Sequence, residues 1–151
     1  MLINIYSKGK YPANVLSNFA ANEFDFAGYK QIPCMESFLQ SLKFEDSAEQ
    51  QRVLYMTAKE AKVYGSAKSW NRFLYWEGKK VDRFSKAYRS LLEDAYRSML
   101  VNPKFKQALI DSRRNLFFHT MGKTVRRNTV LTWWEFVWIL YKLRKDVRRN
   151  G

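Results

Sequence analysis

The sequence predicts an α+β fold, a mainly helical single domain with a small β-sheet. Three observations carry that expectation. Apolar residues recur at helical spacing, as with Met35, Phe38, Leu39 and Leu42 at i, i+3, i+4 and i+7. Helix-start chemistry repeats along the chain, in Thr57 with Glu60, Asn102 with Pro103, and Thr132 with Glu135. Strand-like stretches are few and short, and no strand–helix–strand rhythm joins them, which argues against a parallel α/β sheet.

Taken in order, residues 2–6 read as a short strand, followed by a loop with Lys8, Gly9, Lys10 and Pro12. Leu16, Ser17, Asn18 and Phe19 set two small polar groups between large apolar anchors. Residues 23–32 predict a hairpin, Phe24 and Phe26 alternating before an Ala27-Gly28 turn. Pro33 ends it and a helix follows, with Met35 to Leu42 as its stripe. The neighbouring face of that helix carries Glu36, Gln40 and Lys43 at i, i+4 and i+7. On periodicity alone this row is a solvated flank in which Gln40 links Glu36 to Lys43.

Asp46 and Glu49 frame the next helix start. The Thr57/Glu60 capping box begins another, expected to run to about Gly65 as its terminating glycine. Residues 66–80 are less regular, with a turn at Trp76-Glu77-Gly78. A long helix follows residues 81–85, with Tyr88, Leu91, Leu92, Ala95 and Met99 apolar. Asn102-Pro103 opens the next. Residues 115–120 are the late strand candidate and hold the single histidine, His119. In the last helix Phe136, Leu140, Leu143 and Val147 form a core stripe. Trp134, Trp138 and Tyr141 lie on a second face, expected to be buried against the domain rather than exposed as a contact surface. No repeat, low-complexity tract or linker divides residues 1–151.

At 151 residues, with 46% hydrophobic and 17% aromatic content, the chain can bury a real core. Its charge is lopsided, 27 Lys+Arg against 14 Asp+Glu for a formal +13. Residues 95–151 hold thirteen basic side chains and three acidic ones. Such a field favours polyanionic ligands, among them nucleic acids, dinucleotides and ADP-ribose. Cys34 is alone, so no internal disulfide or cysteine metal cluster is open to the chain; a small core residue is its expected role. Residues 1–6 lack a signal-peptide pattern, and no apolar run approaches the about 20 residues of a membrane span. A soluble, cytoplasmic protein without membrane partners is expected.

Nucleotide-binding and nucleophile motifs of the GxGxxG, Walker and GxSxG types are absent from the sequence. One His and one Cys do not make a conventional zinc site, and a thiol dyad of His119 with Cys34 has no support in spacing. Carboxylates remain, and Glu36 is the best placed of them.

The ordered motifs Tyr6-Ser7-Lys8, Leu16-Ser17-Asn18-Phe19, Glu36-x-x-x-Gln40-x-x-Lys43-Phe44 and Ala61-Lys62-x-x-Gly65 resemble those of the NADAR (YbiA-like) family. Later segments resemble a branch of that family met in bacteriophages. They are Trp76-x-Gly78-Lys79, Asp82-Arg83-x-Ser85, Lys104-Phe105, His119-Thr120-x-Gly122-Lys123 and the run from Thr129 through Glu135-Phe136 to Leu143-Arg144. Three departures stand out. Ser66 replaces the arginine usual after the glycine, Ser37 replaces a histidine beside the key glutamate, and a DxxWG segment near the C-terminus is missing.

The resemblance implies a YbiA-like fold and an N-glycosidase without cofactor or metal. Its substrate would be an ADP-ribosylated base, guanine above all, or a phosphoribosyl-pyrimidine intermediate. The matching positions make Glu36 the acid/base carboxylate and Lys8 the candidate Schiff-base amine, with Lys10 an equally near rival. Asp82 would be a second carboxylate. Ser17, Asn18 and Gln40 would position ribose hydroxyls or phosphate, Trp76 would stack on the base, and Lys62 or Arg83 would neutralise phosphate. His119 joins the binding set, against the simpler reading of a core or strand-end histidine. DNA or RNA is a further candidate partner, and a phage-encoded protein would act in the host cytoplasm. The alternatives are a non-catalytic binder of nucleic acid or ADP-ribose, and an interaction protein using the Trp134/Trp138 face. Oligomeric state stays open.

Overall fold

The computed structural model describes residues 1–120 and 122–150. Among them are helices α1 (Ala13–Leu16), α2 (Met35–Ser41), α3 (Ser47–Leu54), α4 (Ala58–Ser66), α5 (Lys86–Ser98), α6 (Pro103–Asp111) and α7 (Trp133–Asn150). The strands pair two by two. β1 (Leu2–Asn4) runs parallel to β6 (Leu116–Phe118), β2 (Phe24–Phe26) forms a hairpin with β3 (Tyr29–Ile32), and β4 (Phe73–Trp76) one with β5 (Lys79–Asp82). The mainly helical α+β class therefore holds. The small sheet, however, is three separate ladders, because each strand is only three or four residues long and helices intervene between the pairs.

Local chemistry explains most boundaries. Asp46 accepts the Glu49 N–H at 2.9 Å, and Thr57 and Glu60 close a reciprocal capping box. Ser85 and Asn102 cap α5 and α6. Such caps contribute about 1 kcal/mol each. Both hairpins turn through two positive-φ residues, Ala27-Gly28 and Glu77-Gly78, the twist-matched geometry for a two-residue loop. The second hairpin went unread in the sequence because Lys79 and Lys80, both exposed, break the apolar alternation of its outer strand.

Helix α2 is the enclosed centre of the molecule: all seven of its residues are buried. Phe38 and Leu42 pack in a continuous cluster that includes Ile5, Tyr88, Phe105 and Phe136. Ser37 and Ser41 satisfy their buried hydroxyls by donating to the carbonyls of Cys34 and Phe38. Just beyond, the buried Gln50 amide nitrogen lies 2.8–3.2 Å from the carbonyls of Ser41, Phe44 and Tyr75, tying α2 to the second hairpin. Cys34 is the buried N-cap residue of α2, and burial pushes its thiol pKa up.

Two expectations need correction. Gly65 does not follow the end of α4 but lies in its last turn, where a Cβ would collide with the Gln40 side-chain amide. Its lack of a side chain lets α4 approach α2. Trp134 and Trp138 are not buried: they are 43% and 60% exposed, because α7 docks through Phe136, Leu140 and Leu143 instead. Tyr141 does pack inward, stacked on Phe117, and its hydroxyl oxygen accepts the Phe117 N–H at 2.8 Å.

A buried ion pair joins the second hairpin to α7. Arg83, with a side chain 1% exposed, donates Nη1 and Nη2 to both Glu135 oxygens at 3.1 and 2.6 Å. Its Nε donates to the Thr129 carbonyl at 2.9 Å, while the Tyr88 hydroxyl donates to Val130 and Glu135 accepts from Thr132. Together they fasten residues 129–132 as a strap. Burial pushes the Glu135 carboxyl up, but hydrogen bonds from Arg83 and Thr132 and the guanidinium charge outweigh it and hold the pKa below its ordinary value. A depressed carboxylate stabilises the fold above its unfolded pKa of about 4.3, and that contribution is lost as pH falls through the folded value. Arg83→Ala should cost about 3–5 kcal/mol in urea unfolding, because Glu135 is left buried without its partner. Glu135→Gln should remove its own part of the stability lost between neutral and acid pH in the same measurement.

Candidate functional site

Three segments converge at the start of α2. The Glu36 N–H donates to the Asn18 carbonyl at 3.0 Å, docking the turn after α1 against the first turn of α2. Asn18 Oδ1 in turn accepts the hydroxyl of Tyr96, a fully buried residue of α5. Ser17 Oγ accepts the Phe19 N–H at 3.2 Å. On a second side, His119 beyond β6 places Nδ1 against the Ile5 carbonyl. A carbonyl only accepts, so Nδ1 carries the proton and Nε2 of the neutral ring is an acceptor. Burial lowers the His119 pKa, with the Ile5 carbonyl opposing and Lys62 adding to the fall, which keeps the ring neutral at pH 7. The 129–132 strap closes the third side.

These walls enclose a cleft of about 520 Å³, within the range of small-ligand sites. Glu36 is the sole carboxylate that lines it among the described residues, against four lysines, Lys8, Lys43, Lys62 and Lys123. Glu36 is 9% exposed, and its Oε1 accepts from Gln40 Nε2 at 2.8 Å. Burial raises its pKa, opposed by the Gln40 hydrogen bond and the charges of Lys62 and Lys43. Burial lowers that of Lys43, opposed by Glu36. The cleft thus joins a proton-acceptor group of raised basicity to a positively charged rim, an arrangement suited to an anionic ligand.

The row Glu36–Gln40–Lys43 differs from a simple chain of side chains. Gln40 reaches Glu36, but the Lys43 ammonium donates to the Gly65 carbonyl at 3.1 Å, and Gln40 Oε1 has no partner. Gly65 makes room for that amide. A second glycine, Gly122, serves similarly: a Cβ there would collide with Trp133 and stand 2.8 Å from His119 Cδ2.

Of the residues singled out in the sequence, Glu36, Lys8, Ser17, Asn18, Gln40, Lys62 and His119 line this one cleft. Lys8 is exposed on its rim, whereas Lys10 is not among the lining residues. Trp76, Asp82 and Arg83 are not brought there. Trp76 is a core residue, its ring edge-on to Phe38 at 5.2 Å and near Phe26 and Tyr29. Asp82 pairs with Arg72 at 2.8 Å and accepts the Phe84 N–H, and Arg83 is consumed by Glu135. Structural pairing accounts for both charged residues. Tyr96 and the strap were missed, since only the packing of distant helices brings them to the site. Lys43 and Lys123 sat inside the quoted motifs, where the clustering of lysines was the available signal. Among the described residues no three His, Cys, Asp or Glu side chains converge as metal ligands, and no helix is long and apolar enough to cross a membrane.

Comparison with known proteins follows the same lines. A profile of the family described as bacteriophage protein GP30.3 matches residues 10–145. An uncharacterized 17.1 kDa protein from the Gp30-rIII intergenic region of Enterobacteria phage T4 is 31% identical over 150 residues, covering 96% of this chain and 98% of that one. The NMR structure of the E. coli protein YbiA superposes with a TM-score of 0.69 at 17% identity, over 99% of this chain and 86% of the other. That likeness is one of fold.

Gly65→Ala tests the packing that sets Gln40. Overpacking at such a contact costs about 1–3 kcal/mol. The variant should melt earlier than the wild type, and Gln40→Ala in the same chain should recover much of the loss by clearing the collision.

Proposed function

The chain belongs to the bacteriophage GP30.3 family, and we propose that its cleft hydrolyses the C1′–N bond of an ADP-ribosylated base or a phosphoribosyl-pyrimidine intermediate. The observation that carries this reading is Glu36: a buried carboxylate, alone in a cleft otherwise rimmed by lysines. Phosphates of such a substrate match the lysines, and the reaction develops positive charge where a carboxylate is the complementary group.

As the C1′–N bond breaks, its electron pair leaves with the base nitrogen and C1′ gains oxocarbenium character shared with the ring oxygen. Glu36 faces that charge as a carboxylate and takes a proton from the water that adds to C1′. The products are the base, reprotonated from solvent, and the sugar with a new C1′ hydroxyl. Its raised pKa suits Glu36 to this, since a carboxylate of greater basicity is the better proton acceptor. Lys8 offers a second route, condensing with the C1′ aldehyde of the opened sugar with loss of water to give a Schiff base. Ser17, Asn18 and Gln40 would orient ribose hydroxyls, with His119 Nε2 as a further acceptor. Lys62 and Lys43 would hold phosphate. Asp82 and Trp76 have no part in this scheme.

The test is base release from an ADP-ribosylated guanine oligonucleotide and from a phosphoribosyl aminopyrimidine. Glu36→Gln should lower turnover by about 10²–10⁴-fold while ADP-ribose binding persists. An active preparation indifferent to Glu36→Gln would remove Glu36 from the chemistry. Binding of ADP-ribose without turnover of either substrate would leave a binding module instead. Borohydride should trap sugar on the wild type and not on Lys8→Ala if the amine takes part.

The pH profile gives a second check. Ionised Glu36 is needed as the base, so activity should fall in acid, with the midpoint above the ordinary glutamate value of 4.5. The sign for stability is opposite: a raised carboxylate pKa destabilises the fold once the group is ionised. Glu36→Gln should therefore melt no lower than the wild type at pH 7, even as turnover collapses.

A further inference from the structure

On the aromatic face of α7, Tyr141 is packed on Phe117, but the two tryptophans stay largely open among the described residues. Trp134 and Trp138 stand one helical turn apart with 43% and 60% of their surface exposed, and Phe84, at 43%, is also open. Basic groups lie among them. The Arg126 guanidinium is 5.0 Å from the Phe84 ring centre, and Trp134 Nε1 donates at 3.2 Å to the carbonyl of Thr124, next to Lys123 of the cleft. Helices α5 and α7 run side by side in the same direction, since Lys142 pairs with Glu93 and Arg97 with Asp146. Exposed Arg89 lies one turn before Glu93 on α5, as Trp138 lies one turn before Lys142 on α7. Three carboxylates near these residues in the chain are already matched: Asp82 by Arg72, Glu93 by Lys142 and Glu135 by Arg83.

We propose that this strip, from Arg126 and Phe84 across Trp134 to Trp138 and Arg89, binds single-stranded nucleic acid and leads it to the rim of the cleft. Aromatic rings take successive bases whatever their sequence, while guanidinium groups beside them track the phosphates. Spacing argues for an unpaired strand. Rings four residues apart on a helix are about 6 Å apart along its axis, whereas bases in duplex stack about 3.4 Å apart. A strand that meets both tryptophans must be unstacked, which a duplex resists. Charge also favours it over a membrane surface, because Arg126 lies against the Phe84 ring itself rather than on an opposite face, as in an interfacial helix.

Strand binding is read without turnover, so it stands or falls apart from the glycosidase reading. Fluorescence anisotropy of a labelled single-stranded oligonucleotide should show salt-dependent binding by the full chain, stronger than for the same strand annealed to its complement. Trp134→Ala with Trp138→Ala should weaken it by about tenfold or more. Arg89→Ala and Arg126→Ala should each flatten the slope of log affinity against log salt by about 0.7 for a lost phosphate contact. Tryptophan emission should be quenched by the strand in the wild type and far less in Trp138→Ala, a single change at the more exposed ring that also covers failure of the double variant to fold. Wild-type affinity in the tryptophan variants would overturn the proposal. So would preference for duplex, binding confined to phosphatidylserine vesicles, or loss of a dimer on substitution of the two rings.

Discussion

A guanidinium almost out of reach of water determines how the two halves of the chain meet. Arg83 ends the second hairpin, and its partner Glu135 lies in the first turn of α7, fifty-two residues later. Neither charge would be tolerated alone at that depth. The pair is held in register by further hydrogen bonds: Thr132 donates to Glu135, Arg83 to the Thr129 carbonyl, and Tyr88 to Val130. These contacts convert residues 129–132 from a connecting loop into a fixed wall. The cleft therefore owes one of its sides to an ion pair whose members never face the ligand.

The opposite wall depends on closeness rather than charge. Gly65 allows α4 to lie against α2, and the space above it is filled by the Gln40 amide, which turns its N–H to Glu36. Gly122 lets the segment after β6 pass beside Trp133 and His119. In both cases the glycine is required by what stands against it, not by an unusual backbone angle. Glu36 is consequently buried without an ionic partner in contact, its carboxylate balanced by one amide and by lysine charges at longer range. A carboxylate so placed weakens the fold when ionised, a cost typical of a group kept for chemistry rather than for packing.

The sequence disclosed local features better than tertiary ones. The caps at Thr57 and Asn102, the Ala27-Gly28 turn and the α2 stripe depend on neighbours within a few residues, and each stands as read. Gathering Glu36, Lys8, Ser17, Asn18, Gln40, Lys62 and His119 into one cleft followed from motif order. What failed was the split between charges that line a site and charges that hold a fold. Asp82 and Arg83 lie beside each other in a motif, yet Arg72 and Glu135 claim them, and no spacing rule reveals such distant partners. Trp76 and Trp138 were reversed in the same way: the first is core and the second open, because burial is set by the packing of whole elements.

That distinction also changes what the formal +13 means. Arg83 and Arg144 are buried, the latter donating to Ser112 and the Asn115 carbonyl and lying 4.3 Å over the Phe117 ring. Arg97 and Lys142 are paired across α5 and α7. Among the cations that remain, Lys8, Lys62 and Lys123 stand at the cleft, and exposed Arg126, Arg127 and Arg89 lie outside it. A diffuse surplus would raise encounter with any polyanion. Cations set at one opening orient an anion as well: on the proposed reading they hold the phosphates of the substrate while its uncharged part is directed inward toward Glu36, the sole carboxylate among the described lining residues.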